Sequence, residues 1–351
     1  MKNGWRTLCA GTAILFASVA ASAQQAHRWQ IQIHAGAGDI ARATTTPAAE
    51  AAYRAKLNEA LAAGSAVLDR GGSSLDAVEA AIHVFEDANL FDCGRGAVFN
   101  SAGQIELDAS IMDGATLGAG AVSAVQHTAH PISLARAVME KSPYVMLTAA
   151  GADKFAAEIG MEPVPQSYFY TEKQWLALEK LLKSQGKPLP PRPAELEKAQ
   201  PVAWLSSVEQ HWFGTTGVVA LDRKGNLAAG TSTGGLRGKH PGRVGDSPIP
   251  GAGTYASNQS CAVSGTGVGE YFIRLGVARQ ICNLVEYKGM TAQQAADEVI
   301  HKEVAGLKGE GGVIVLTPDG QMAWSYNTKG MFRARQVEGG KPLVAIFSDE
   351  Q

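Results

Sequence analysis

"GTTGVVALDRKGNLAAGTSTGG" spans residues 214–235. An apolar run, a polar turn around Gly225 and a second run leaving through two glycines make it a hairpin. "GAVFNSAGQIELDASIMDG" (96–114) and "GGVIVLTPDGQMAWSYNTKG" (311–330) repeat the plan and read as hairpins too. "HRWQIQIHAGAGDI" (27–40) begins as an alternating strand with Trp29, Ile31 and Ile33 and ends in a glycine turn. Helical patterns run from Pro47 to a stop at Gly71–Gly72, and from a Ser73 or Ser74 cap to about Ala88. Others cover 131–141, 148–160, 268–287 and 291–305. Antiparallel hairpins alternating with helices predict sheets covered by helices, not a parallel nucleotide-binding sheet. No glycine loop has dinucleotide or P-loop spacing, so no nucleotide cofactor is expected.

Gly214–Thr215 is the chemical feature of the hairpin. A threonine hydroxyl is a weak nucleophile until a base takes its proton, and an N-terminal threonine can use its own α-amine. That amine titrates near pH 7.7–8.0 when unperturbed. Thr215 is internal, so the bond before it must first be cut: its hydroxyl attacks the Gly214 carbonyl in an N-to-O acyl shift. A residue without a Cβ leaves that carbonyl open and lets the backbone be strained. Spacing alone does not choose between Thr215 and Thr216. Upstream, the periodic pattern fails between about 165 and 213, and "KSQGKPLPPRPAELEKAQP" (183–201) reads as an exposed linker feeding this bond.

The 351 residues are 45% hydrophobic and 18% charged, so a large core is expected. A net charge of −2 with no long basic run argues against a nucleic-acid partner. Residues 1–23 have Lys2 and Arg6, an apolar stretch from about Leu8 to Ala21, and "ASA" at Ala21–Ala23. That is the pattern of a secretory leader, too short for a membrane span, and its removal would take the net charge to −4. A secreted, periplasmic protein without a membrane segment is expected. Cys93, Cys261 and Cys282 then remain, without zinc-site spacing; at most one bridge can form, and three reduced, buried thiols are expected.

Over nearly the whole mature length the chain resembles the plant-type asparaginase and isoaspartyl peptidase family of N-terminal-nucleophile hydrolases. The resemblance rests on "HAGAG" (34–38), "LFDCGRGAVF" (90–99), "ELDASIMDG" (106–114), residues 214–235, "PGRVGDSP" (241–248), "SGTGVGE" (264–270) and "NTKGMFRA" (327–334). It implies an α+β fold, a four-layer αββα sandwich with two antiparallel sheets between helix layers. It implies autocleavage after Gly214 into an α subunit (24–214) and a β subunit (215–351), with Thr215 as nucleophile and a dimer of cleaved αβ units. The implied substrates are β-aspartyl peptides and L-asparagine.

The resemblance also assigns roles. Thr233 orients the nucleophile, and Thr266 and Gly267 form the oxyanion hole. Arg243 takes the substrate α-carboxylate and Asp246 its α-ammonium, a pairing that suits a guanidinium fork and a carboxylate. Gly234, Gly235 and Gly269 line the substrate site. No organic cofactor is implied; a structural sodium ion is, held by the carbonyls of Phe85, Glu86, Ala88, Phe91, Cys93 and Arg95. Three positions depart from the family pattern: Ala35 replaces a glycine, Asp92 an asparagine, and Thr216 a valine or isoleucine. Rival readings are glycosylasparaginase, which usually has Asp-Thr at the cut, and an amino-acid-binding protein that has lost catalysis.

Overall fold

The computed structural model describes residue 1, residues 27–196 and residues 212–350. The expected leader and the 197–211 part of the expected linker lie outside the described residues. Strand β1 (Gln30–Gly38) leads to helices α1 (Pro47–Asp69) and α2 (Ser74–Glu86), then strands β2 (Leu107–Asp113) and β3 (Ala119–Val125). Helix α3 (Pro131–Lys141), strand β4 (Met146–Thr148) and helices α4 (Ala149–Glu158) and α5 (Glu172–Ser184) follow. Next are β5 (Trp212–Phe213), β6 (Thr216–Leu221), β7 (Leu227–Thr233), β8 (Thr254–Ala256) and β9 (Ala262–Gly267). Helices α6 (Gly269–Leu275), α7 (Val277–Lys288) and α8 (Ala292–Asp297), with a π-helical turn at Glu298–Val304, precede β10 (Gly311–Leu316), β11 (Met322–Tyr326), β12 (Gly330–Val337) and β13 (Leu343–Phe347).

Local chemistry sets the helix starts. Thr46 caps α1 with Pro47 at its first turn, and Ser73 forms a reciprocal capping box with Asp76 at α2. One sheet has the order β13-β12-β1-β6-β7-β2-β3-β4, with β5 also paired to β1; the other is β11-β10-β9-β8. Every pairing is antiparallel except β3 with β4. The sheets face each other, with α1, α2 and α3 covering the first and α7 and α8 the second. This is the αββα sandwich. Strand β6 shows why it forms: Val218 and Ala220 enter the core under α1–α3, while Val219 and Leu221 enter the core between the sheets. Alternation sends an apolar side chain to both faces, and burying each Val or Leu contributes about 1.5–3 kcal/mol. Among the described residues no helix is long and apolar enough to cross a membrane.

Three expectations are corrected. Residues 96–114 are not a hairpin. The side chain of Asn100 accepts from the Ala102 and Gln104 amides, so the first run is spent in a turn. Strand β2 pairs instead with β3, across a turn in which Asp113 accepts from Ala115 N and Thr116 Oγ1. The 165–213 stretch holds α5, capped by Thr171 and anchored by buried Trp175 and Leu178. Finally, Cys261 and Cys282 are not thiols. They form a disulfide that ties the entry of β9 to α7, leaving Cys93 free and buried.

The bridged residues are 21 apart. Removing a crosslink over a loop of that length restores chain entropy to the unfolded state and costs about 3 kcal/mol. The Cys261→Ala/Cys282→Ala double variant should therefore melt several degrees below wild type under oxidising conditions. An unchanged midpoint in calorimetry would show that the crosslink is idle.

Candidate active site

Strands β5 and β6 both pair with β1, and Gly214–Thr215 lies in the break between them. Ala37 and Gly38 face Phe213 and Trp212, while His34 faces Gly217. In that interval β1 loses its regular register between His34 and Ala37, and Gly36 takes φ 110°. The "HAGAG" motif thus continues the strand through an irregularity opposite Gly214–Thr215, rather than ending it.

The loop after α2 clamps this break. The Asp92 amide donates to the Gly214 carbonyl at 3.2 Å, and the Asp92 carbonyl accepts from the Gly234 amide at 2.9 Å. Gly214 packs so tightly that a Cβ there would fall 2.4 Å from the Asp92 Cβ. A residue other than glycine would drive the Gly214 carbonyl off its donor.

Thr215 is buried, and its Oγ1 donates to Thr233 Oγ1 at 3.1 Å. Thr233 Oγ1 also accepts from the Gly235 amide at 2.9 Å, which fixes the acceptor at the exit of β7. Both threonines open onto a cleft shared with Gly235, Leu236, Arg243, Gly245, Asp246, Ser247 and Gly267. Thr266 is fully buried one residue back on β9. Gly269 backs Asp246, and Gly234 lies against the Asp92 carboxylate rather than in the cleft lining.

The cleft is electrostatically prepared. Burial pushes the Asp246 carboxyl up to about 7 despite the nearby Arg243 charge, and its Oδ2 has no hydrogen-bond partner. A buried carboxylate in that state gains strongly from a cation placed beside it. Arg243 gives its Nε and Nη2 to Glu270, both at 2.9 Å, while its Nη1 lies on the side of Gly235 and Gly245. Glu270, His34 and Lys239 are site residues that sequence reasoning missed. His34, beside Gly217 in the β1–β6 pair, is held neutral by burial with its pKa lowered to about 3, and its Nε2 meets Ser264 Oγ at 2.9 Å. Lys239 is buried beside Glu106 and Asp108, with Nζ on the Glu106 carbonyl at 3.0 Å. His34 and Glu270 fall inside quoted motifs, but only the folded chain shows what they touch.

Of the six carbonyls named for sodium, three crowd one turn. The carbonyls of Glu86, Ala88 and Phe91 crowd the turn at Gly94–Gly96: a Cβ on Gly94 would lie 2.1 Å from Glu86 O, and one on Gly96 1.9 Å from Phe91 O and 3.1 Å from Ala88 O. The Cys93 carbonyl accepts from the Gly96 amide in the same turn, and the Phe85 carbonyl from the Ala88 amide at the end of α2. A cradle of main-chain oxygens that a methyl group would fill suits a hard cation.

Comparison with known proteins identifies the family. The family model described as "Asparaginase" matches residues 27–346. The chain is 43% identical to an isoaspartyl peptidase of Salmonella typhimurium, over 91% of this chain and 98% of that protein. It is 42% identical to the Escherichia coli isoaspartyl peptidase, over 91% and 96%. The human isoaspartyl peptidase/L-asparaginase is 43% identical over 79% and 84%. Fold and site define an amide-bond hydrolase of the N-terminal-nucleophile type. The chain belongs to the asparaginase family that contains these isoaspartyl peptidases.

The three departures have local accounts. Ala35 is absorbed in the core. Thr216 donates its hydroxyl to the Ser232 carbonyl at 3.2 Å across the β6–β7 pair, so its polarity is satisfied in a buried strand. Asp92 Oδ1 accepts from the Val98 amide at 2.8 Å, yet burial pushes its carboxyl up to about 6. An unfolded aspartate ionises near 3.9. Folding therefore favours the protonated form, and this group's contribution is greatest below about pH 4 and lost as pH rises through about 6. Asp92→Asn removes the dependence. Relative to wild type it should gain on the order of 2 kcal/mol between pH 4 and pH 8. Denaturant titrations at the two pH values measure the difference, and a gap that stays constant would refute the assignment.

Proposed function

We propose that the protein is an isoaspartyl peptidase and L-asparaginase that matures by cutting itself after Gly214 and works through an acyl-enzyme on Thr215. The observation that carries this reading is the Thr215–Thr233 hydroxyl pair at a cleft that also presents Arg243 and Asp246. In maturation, Thr215 Oγ1 attacks the Gly214 carbonyl carbon, whose oxygen is polarised by the Asp92 amide. The hydroxyl proton passes to the departing nitrogen as the C–N bond breaks and an ester forms; water then hydrolyses the ester, releasing Gly214 as a carboxylate and Thr215 with its hydroxyl restored and a free α-amine.

The same hydroxyl then acts on substrate. Its proton passes to the α-amine as it bonds to the side-chain carbonyl carbon. Thr266 and Gly267 stabilise the oxyanion that develops, a term worth several kcal/mol in related chemistry. The leaving amine takes the proton as the C–N bond breaks. Water hydrolyses the ester and frees L-aspartate. Arg243 pairs with the α-carboxylate through its free edge while Glu270 holds the other. Asp246 pairs with the α-ammonium, which supplies the cation its buried Oδ2 lacks. A sodium ion would be held by the carbonyls of Phe85, Glu86, Ala88, Phe91, Cys93 and Arg95, and would brace the loop that clamps Gly214 without entering the reaction. The working form in this reading is a periplasmic dimer of cleaved αβ units.

Maturation is checked by N-terminal sequencing of the smaller fragment, which should begin Thr-Thr-Gly. Thr215→Ala lacks the attacking hydroxyl and should remain a single uncut, inactive chain, while Thr215→Ser keeps some cleavage. Normal processing of the alanine variant would overturn the mechanism.

Substrate choice follows from Arg243. A β-aspartyl dipeptide presents the free α-carboxylate, the free α-ammonium and the side-chain carbonyl of L-asparagine together. An α-aspartyl dipeptide has that carboxylate tied up in its peptide bond. Leaving a guanidinium unmatched costs on the order of 2–5 kcal/mol, well over tenfold in kcat/KM. β-Aspartyl-leucine should be cleaved, asparagine more slowly, and α-aspartyl-leucine not at all, with Arg243→Ala depressing both good substrates together. Equal rates on the α- and β-linked dipeptides would sink the reading.

A further inference from the structure

We propose that His83, Glu86 and His130 form a binding site for a transition-metal dication of the zinc class, separate from both the catalytic cleft and the carbonyl cradle. His83 and Glu86 lie three residues apart on α2 and share a face. His130 stands at the N-cap of α3, directly before Pro131. One ligand atom from each of the three falls within 4.8 Å of the others.

The chemistry of the donors is specific. The Glu86 side chain is fully buried, whereas those of His83 and His130 are 35% and 29% exposed. Glu86 Oε1 is taken by the Ile132 amide at 3.1 Å and by Ser232 Oγ at 2.7 Å. These bonds orient the carboxylate and leave Oε2 facing His130 Nδ1 at 3.2 Å. Two ligands bound at 2.0–2.1 Å to one tetrahedral ion stand about 3.3 Å apart. The separation already present is that of two such ligands. The His83 ring packs beside the His130 ring, centroids 4.2 Å apart, and is steadied by Ser133 Oγ at 2.6 Å, which in turn donates to Glu79.

The His130–Glu86 ion pair and the His83–Ser133 hydrogen bond hold the three side chains in place without a metal, and they leave one ligand atom of each within 4.8 Å of the others. Asp87 adds another carboxylate 3.6 Å from His130 Nε2, so the pocket is acidic as well as nitrogen-rich. Two imidazoles and one carboxylate favour zinc, cobalt, nickel or copper over the all-oxygen preference of magnesium or calcium. The exposed side of the imidazoles admits water as a fourth ligand. The Glu86 carbonyl points to Gly94 and takes no part. An ion here would pin α2 to the start of α3 and, through Glu86 and Ser232, to the strand that carries Thr233.

The test uses full-length protein purified as expressed and stripped with chelator. Zn²⁺ titrated by calorimetry should bind with micromolar or tighter affinity and raise the melting temperature, while Mg²⁺ does neither. Co²⁺ should give the intense visible absorption of a four-coordinate nitrogen and oxygen site. His83→Gln and His130→Asn, each checked for a wild-type melt without metal, should weaken Zn²⁺ at least tenfold. If one variant fails to fold, the other and the Co²⁺ spectrum decide. The proposal is overturned by a weak octahedral Co²⁺ spectrum, by no saturable Zn²⁺ binding below millimolar, or by unchanged affinity in a folded variant.

Discussion

The main chain of Asp92 is the point on which the site depends. Its amide holds the Gly214 carbonyl and its carbonyl holds the Gly234 amide. The main chain of one residue thereby joins the entrance of β6 to the exit of β7, the two ends that carry Thr215 and Thr233. Neither contact survives a side chain at Gly214, because the space for a Cβ is filled by Asp92 itself. The glycine before Thr215 is thus a packing requirement before it is a chemical one. The loop that provides Asp92 is fixed from behind by Glu86, whose carboxylate binds Ser232 on β7 and Ile132 on α3.

That clamp works because the strands it joins are buried on both faces. Between helices on one side and a second sheet on the other, β6 and β7 have no water to satisfy stray polar groups. The buried hydroxyls of the two strands are paired: Thr216 with the Ser232 carbonyl, Thr231 with Ser264, and Ser232 with Glu86. Burial also sets the charges. Burial lifts the Asp246 carboxyl to about 7, and Arg243 is divided between Glu270 and the cleft, so the two groups differ in what they lack. A ligand carrying an ammonium beside a carboxylate satisfies both, which is the physical case for an amino-acid head group in this cleft.

Much of the fold was legible along the chain. The 214–235 and 311–330 hairpins announce themselves because alternation and turn chemistry are both local. The helix starts at Pro47 and Ser74 were equally plain, since a cap acts over three or four residues. The 96–114 segment was misread because its first run is apolar yet bound by Asn100 into a turn, and periodicity does not distinguish a strand from an extended loop that packs. Helix α5 was lost in proline-rich surroundings. The Cys261–Cys282 bridge was missed because nothing in a spacing of 21 residues says that β9 and α7 will touch.

For the site, sequence by itself determined the chemical inventory: a glycine before two threonines, a second threonine at a strand end, an arginine and an aspartate in one turn, and the motif order that places them in a known family. Those features are carried by neighbours along the chain. The tertiary structure decided what they face. It put Thr233 against Thr215, Glu270 on Arg243, His34 against Ser264, and His83 beside His130. Each pair joins elements that are separate along the chain, and which elements meet is a property of the folded chain that no local stretch of residues possesses.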